Sequence, residues 1–233
     1  MKVAAIVAAA GAGLRMGKGV SGAGRKQYLE LEGIPVLARS LNLFLGHTGM
    51  EKVIAVIPAG EAGTVRELLR PHCNLAKVLF VVGGAERQDS VRKGLEAVDE
   101  DIELVCIHDA ARPLASPILL ERLLEAASKE GAAVPVMALS DTVKEIDSNG
   151  YIVATPPRDK LRLVQTPQVF RRELINRAYS SAAGRGVTAT DDAALVEELG
   201  ETVTAVEGEL SNLKITTPRD LALAAMLLKE AGR

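Results

Sequence analysis

Five short stretches of this chain concentrate residue types that handle phosphate. The first runs Ala8-Ala9-Ala10-Gly11-Ala12-Gly13-Leu14-Arg15-Met16, passes through Gly17-Lys18-Gly19 and closes at Arg25-Lys26. A dinucleotide fingerprint needs Gly at position 16, where Met stands. A Walker loop needs four residues between its Gly and the Gly-Lys pair, then Ser or Thr. Here five residues separate Gly11 from Gly17, and Gly19 follows Lys18. What remains is a small-residue turn whose backbone N–H groups can approach an anion. Arg15 and Lys26 are cations beside it. A tight turn with solvated basic residues accounts for this stretch equally well.

The second stretch, Gly83-Gly84-Ala85-Glu86-Arg87-Gln88-Asp89-Ser90-Val91, opens a helix whose N-terminus and Ser90 can bind polar groups. Read singly, it is also an ordinary turn. The third is Ile107-His108-Asp109-Ala110-Ala111-Arg112-Pro113. An Asp ending a parallel strand can serve as a magnesium ligand or ribose contact, and Arg112 could grip a second phosphate. The alternative is an Asp–Arg ion pair that ties down a loop. His108 reads as a packed strand-end histidine, since no nearby nucleophile needs activating. The fourth, Thr188-Ala189-Thr190-Asp191-Asp192, is fully explained by helix capping. The fifth, Asn212-Leu213-Lys214-Ile215-Thr216, places a Lys in an apolar segment, where it could snorkel to the surface.

Composition limits what these residues can serve. Of 233 residues, 48% are hydrophobic and 25% charged, as in an ordinary globular protein. The net charge of −2 argues against a nucleic-acid-wrapping protein, and 3% aromatics with no Trp argue against a base-stacking platform. Two cysteines, Cys73 and Cys106, and three histidines form no zinc pattern, and predict two reduced thiols in a cytoplasmic protein. Met1–Ala10 resembles a short signal peptide, but Val3–Ala10 also has the length of one buried parallel strand leading into the Gly-rich turn. We read it as a strand. No stretch approaches the ~20 apolar residues of a membrane span.

The elements that must position these residues alternate. Strands are predicted at 3–8, 52–57, 77–82, 103–108 and 132–137, with helices at 36–45, 61–70, 87–98 and 116–129. Such alternation predicts a doubly wound, mostly parallel α/β sheet with ligands beyond the strands' carboxyl ends. The rhythm breaks near residue 139. Two strands joined through Asn149-Gly150 and stopped by Pro156-Pro157 predict a projecting hairpin arm at about 139–160. A strand around 163–170, helices at 172–182 and 191–199, a strand at 202–206 and a helix capped by Thr217 complete one domain over 1–233. An isolated hairpin is marginal in water, so the arm predicts a two-fold partner.

Together the motifs resemble one family, the 2-C-methyl-D-erythritol 4-phosphate cytidylyltransferases of the non-mevalonate isoprenoid pathway. The matching strings are Ala9-Ala10-Gly11-x-Gly13-x-Arg15-Met16, Lys26-Gln27-Tyr28, Gly83-Gly84-x-x-Arg87-x-x-Ser90-Val91 and His108 through Pro113. Asp141-Thr142-x-Lys144, Gln165-Thr166-Pro167-Gln168-x-Phe170, Thr190-Asp191 and Asn212-x-Lys214-x-Thr216 follow in order over nearly the whole chain. The resemblance implies a Rossmann-like nucleotidyltransferase fold and CMP transfer from CTP to the 4-phosphate of methylerythritol, with Mg²⁺. It implies that Arg15, Lys26 and Lys214 are catalytic. Ala9, Ala10, Gly11, Ala12, Gly13, Gly83, Gly84, Ser90, Asp109 and Ala110 would bind the nucleotide, with Asp109 also serving the metal. Arg112, Thr190 and Lys214 would face the acceptor, joined by Thr142, Arg158 and Thr166 from the partner subunit's arm in a homodimer.

The physics suits that chemistry. Two unit charges ~4 Å apart repel by about 4 kcal/mol at an effective dielectric of ~20. Two phosphorylated substrates therefore need cations more than a nucleophile. The attacking phosphate oxygen is already ionised, so no general base is required. The loop from Arg15 to Lys26 is longer and more Gly-rich than is common in the family, which predicts disorder there without nucleotide. Leu161-Arg162-Leu163 lacks an aromatic often found near it. Alternatives are a ribitol 5-phosphate cytidylyltransferase and a non-catalytic nucleotide-binding protein of the same fold. Met16 disfavours a nicotinamide-dependent enzyme.

Overall fold

The computed structural model describes residues 1–11 and 25–230. Ala12, Gly13, Arg15 and the expected disorder of the long loop lie outside the described residues. The chain opens with β1 (Val3–Ala8), β2 (Glu30–Leu31), β3 (Ile34–Pro35), α1 (Val36–Leu45), β4 (Met50–Ile57) and α2 (Ala62–Leu69). It continues through β5 (Val78–Val82), α3 (Arg87–Leu95), β6 (Leu104–Asp109), α4 (Pro117–Glu130) and β7 (Ala132–Ala138). Then come β8 (Glu145–Ile146), β9 (Ile152–Ala154), β10 (Arg162–Val164) and β11 (Gln168–Arg171). The last elements are α5 (Arg172–Arg185), α6 (Asp192–Glu197), β12 (Thr204–Glu207) and α7 (Pro218–Glu230).

The main sheet has the order β10-β7-β11-β6-β1-β4-β5, with β12 beside β7. β1 pairs parallel with β4 and β6, and β4 with β5. β11 runs antiparallel between β6 and β7. Alternation along β1 explains the two covered faces. Val3, Ala5 and Val7 pack with Leu37, Leu41 and Phe44 of α1 and Leu119 and Leu123 of α4. Ala4 and Ile6 pack with Val91 of α3 and Ile175 and Ala178 of α5. Side chains pointing to both faces of a buried strand are the reason such strands read as unbroken apolar runs.

Local signals start the helices. The Ser116 hydroxyl accepts from the Leu119 N–H, with Pro117 in the first turn of α4. On the opposite face, a Cβ at Gly94 of α3 would stand 2.6 Å from Cγ2 of Ile6, so α3 lies directly against β1.

Two expectations need correction. The strand around 163–170 is divided into β10 and β11. Val164 faces Val136 and Val169 faces Ala133, so the chain bulges between them, through the cis peptide Thr166–Pro167. Proline cannot donate to a ladder, and the bulge turns Thr166 towards the end of β6. The hairpin strands are also shorter than read. β8 and β9 form a separate two-stranded sheet in which Ile146, Tyr151, Ile152 and Val153 are exposed. The small β2–β3 ribbon was not anticipated, and neither was the reach of α5 to Arg185.

Candidate active site

At the carboxyl ends of β1 and β6 and before α3 lies a cleft of about 640 Å³. Its first wall is the turn after β1. Ala9, Ala10 and Gly11 line it, and Gln27 holds it in place. The Gln27 side-chain amide is buried and donates to the Ala9 carbonyl at 2.6 Å and the Gly11 carbonyl at 3.2 Å. Two acceptor carbonyls fix which end of the amide faces them. Arg25 donates to the Gly11 carbonyl at 3.3 Å and pairs with Glu61 at 2.9 Å. The two residues flanking Lys26 thus both grip this turn. Lys26 itself lines the cleft.

The second wall comes from the loop between β5 and α3. The Ser90 hydroxyl accepts from Gly84 N–H at 3.1 Å and donates to the Glu86 carbonyl at 3.0 Å. A Cβ at Gly83 would stand 2.4 Å from Cβ of Ala10, so the two walls meet at van der Waals contact. Gly84, Ala85 and Ser90 line the cleft, while Gly83 backs it.

Asp109 and Ala110 form the floor. Arg87 donates to Oδ1 of Asp109 at 2.9 Å, and Lys214 to Oδ2 at 2.5 Å. Burial alone would raise the Asp109 carboxyl, but the two cations outweigh it and hold it well below the usual carboxylate range. Arg87 continues to Asp192, which is 1% exposed, at 2.8 Å. Asp192 accepts from the Tyr179 hydroxyl at 2.6 Å. Burial and that carboxylate raise the Tyr179 hydroxyl strongly. Gln168 locks the start of α6 by accepting from the N–H groups of Asp192 and Ala193 and donating to Asp191.

The remaining candidates sit elsewhere. Arg112 lies beyond Asp109 and donates to the Asn212 carbonyl at 2.7 Å. Its Nε is buried without a partner among the described residues. Thr190 is exposed just before α6. Thr142 and Arg158 are exposed beside the hairpin, where Arg158 donates to the Ser140 carbonyl. Thr166 requires a correction. It is not on the hairpin but buried in its own chain's site, with Oγ1 accepting from Asp109 N–H at 3.0 Å. A hydroxyl buried there cannot also reach into a partner's cleft.

The sequence reading missed the roles of Arg25, Gln27, Arg87 and Asp192. Gln27 and Arg87 stood inside quoted motifs. Asp192 was indistinguishable from a capping acid. Among the described residues no three Asp, Glu, His or Cys side chains gather. Asp109 and Glu86 are the carboxylates lining the cleft, and both Asp109 oxygens are engaged by cations, so a Mg²⁺ on Asp109 would have to arrive with substrate phosphates that draw Lys214 away, rather than sit in a protein cage.

The family model described as IspD, 2-C-methyl-D-erythritol 4-phosphate cytidylyltransferase, matches residues 3–230. The chain belongs to this family. Among relatives of that name, the protein of Syntrophus aciditrophicus is 43% identical, over 100% of this chain and 98% of its own length. That of Desulforamulus reducens is 42% identical, over 97% and 96%. The crystal structure of the Thermus thermophilus enzyme superposes with a TM-score of 0.80 at 37% identity, covering 98% of this chain and 100% of that one. Fold and family agree with the mostly parallel sheet and with the cleft at its carboxyl edge. Cytidylyltransferase activity follows from the family.

Proposed function

We infer that this chain transfers CMP from CTP to 2-C-methyl-D-erythritol 4-phosphate, releasing pyrophosphate. The observation that carries the reading is the convergence of Lys26, Arg87 and Lys214 on Asp109 and the turn at 9–11, in a chain of this family. A phosphate oxygen of the acceptor attacks the α-phosphorus. The new P–O bond forms as the bond to the β-phosphate oxygen breaks, and its electron pair leaves with pyrophosphate. The ionised oxygen needs no base, and the protein forms no covalent bond.

Each residue then has a task. The backbone at Ala9, Ala10 and Gly11, with Ala12, Gly13 and Arg15 following, cradles the triphosphate. Lys26 and Lys214 stabilise charge on the α-phosphate in the transition state. Gly83, Gly84 and Ser90 hold the base, while Asp109 and Ala110 hold the ribose. Mg²⁺ held by Asp109 and the phosphates would neutralise the departing charge. Arg112, Thr166 and Thr190 face the acceptor. Thr142 and Arg158 are exposed beside the projecting hairpin, and we propose a homodimer in which they complete a partner's site. Substrates of this kind are water-soluble phosphates, and among the described residues no helix is long and apolar enough to cross a membrane. We place the reaction in the cytoplasm.

Pyrophosphate release tests the reading. CTP with 2-C-methyl-D-erythritol 4-phosphate should turn over, and CTP with ribitol 5-phosphate should not. The reverse pattern, or no release with either, would overturn it.

A further inference from the structure

Among the buried titratable side chains that the mechanism above does not use, His108 stands nearest the reacting groups. His108 is completely buried at the end of β6, one residue before Asp109, with its ring edge-on to Phe44 at 5.5 Å. Its Nε2 lies 3.0 Å from the Arg112 carbonyl and its Nδ1 lies 3.0 Å from Oγ1 of Thr166. A carbonyl can only accept, so Nε2 carries the proton. A neutral ring then has a bare Nδ1, which accepts from the Thr166 hydroxyl. The Thr166 Oγ1 already accepts from Asp109 N–H, so its own hydrogen is free for the bare Nδ1.

These bonds close a circuit. His108 donates to the Arg112 carbonyl, and the Arg112 guanidinium donates to the Asn212 carbonyl at 2.7 Å. The Asn212 side-chain amide donates to the Thr166 carbonyl at 2.9 Å. The Thr166 hydroxyl donates back to His108. Every donor points the same way round. His108, Thr166 and Asn212 are buried, so their side chains have no ready access to water as a substitute. The carbonyls and the guanidinium have fixed roles, so only the His108 tautomer and the Thr166 hydroxyl could be set otherwise, and the other tautomer would turn a bare Nε2 onto the Arg112 carbonyl.

We propose that His108 is a positioning residue whose Nε2–H holds the Arg112 carbonyl and thereby fixes Arg112 for the acceptor phosphate. The proposal rests on the reaction inferred above. The circuit holds the Arg112 main chain and one arm of its guanidinium, leaving Nε buried and unpartnered among the described residues. It leaves the Asp109 carboxylate to Arg87 and Lys214. Acceptor binding should therefore depend on His108 more than nucleotide binding does.

Two measurements test this. Long-range ¹H–¹⁵N spectra of the imidazole should show protonated Nε2 and bare Nδ1 in the wild-type protein. The opposite tautomer would overturn the proposal whether or not any variant folds. Steady-state kinetics should show His108→Phe, which keeps the ring packing, raising the acceptor KM about tenfold, of the order expected for one net hydrogen bond. The KM for CTP should stay within about twofold. Thr166→Val also strands the Asp109 N–H and should raise both. Thr166→Ser, which keeps the hydroxyl, should recover most of that loss. Equal change of both constants in His108→Phe, or no change, would overturn the role of His108 while wild-type turnover stands. Absence of wild-type turnover would instead overturn the reaction, and the acceptor-side role with it.

Discussion

The Lys214 ammonium and Oδ2 of Asp109 lie 2.5 Å apart on the floor of the cleft, while Arg87 occupies the other carboxylate oxygen. Asp109 is therefore neutralised twice over. A polyphosphate can draw Lys214 away without leaving the carboxylate unpaired. Lys214→Ala should lower kcat by ~100-fold or more and raise KM far less, since its charge matters most in the transition state. Steady-state pyrophosphate release measures both. A near-normal kcat would leave Lys214 a structural partner of Asp109 alone.

Arg87 should behave in the opposite way. Its removal strands Asp192, which is 1% exposed, and loosens Asp109. Breaking one partner out of a buried pair costs about 3–5 kcal/mol. Arg87→Met should lose stability on that scale in urea unfolding, whereas Lys214→Met, which leaves Arg87 on Asp109, should lose much less.

Gly83→Ala tests the contact between the two walls. The added methyl would stand 2.4 Å from Cβ of Ala10 and 2.8 Å from Oγ of Ser90, and Ala10 has no rotamer with which to yield. The loop must shift. We expect the KM for CTP to rise about tenfold or more, with a smaller change in the acceptor KM. Unchanged nucleotide binding would show that this loop does not hold the base.

His108 also gives stability a pH dependence. Burial lowers its pKa to about 4, against an ordinary value near 6.5. The unfolded chain therefore takes up the proton first. The neutral ring contributes its full stabilisation above about pH 6.5, and that contribution falls as the pH drops towards 4. The shift corresponds to roughly 3 kcal/mol. Unfolding free energies measured between pH 7 and 4 should decline, and His108→Phe should flatten this part of the profile.

The arm can be tested by complementation. Arg158→Ala and Lys214→Ala should each be inactive alone. After subunit exchange, a mixed dimer with shared sites holds one site carrying both lesions and one carrying neither. Activity should then return. Monomers in sedimentation, or no recovery after proven exchange, would show that the arm serves its own chain.

Most of the scaffold was legible because its central strands are apolar on both faces and two of its helices, α4 and α6, carry side-chain caps at their starts. α1 falls at 36–45 as read, and α4 runs Pro117–Glu130 where 116–129 was expected. What stayed hidden was long-range. Nothing in Arg87 announces that it meets Asp192, 105 residues away. The same holds for Thr166, because two apolar pairs, Leu163-Val164 and Val169-Phe170, on either side of a short polar stretch read as a single strand. Its bulge depends on which neighbours β7 offers on either side of Gln165. The hairpin strands were read too long because alternating side chains predict a strand even where only two or three residues find a pairing partner.

The close approach of α3 to β1 at Gly94 sets a dimension. The helix rests on the strand with a hydrogen atom where any other residue would put a methyl. The loop at its head is seated against Ala10 in the same manner. Bulk added at either glycine, Gly94 or Gly83, would push the second wall of the cleft away from the first, so the cleft's breadth depends on two residues that do not line it.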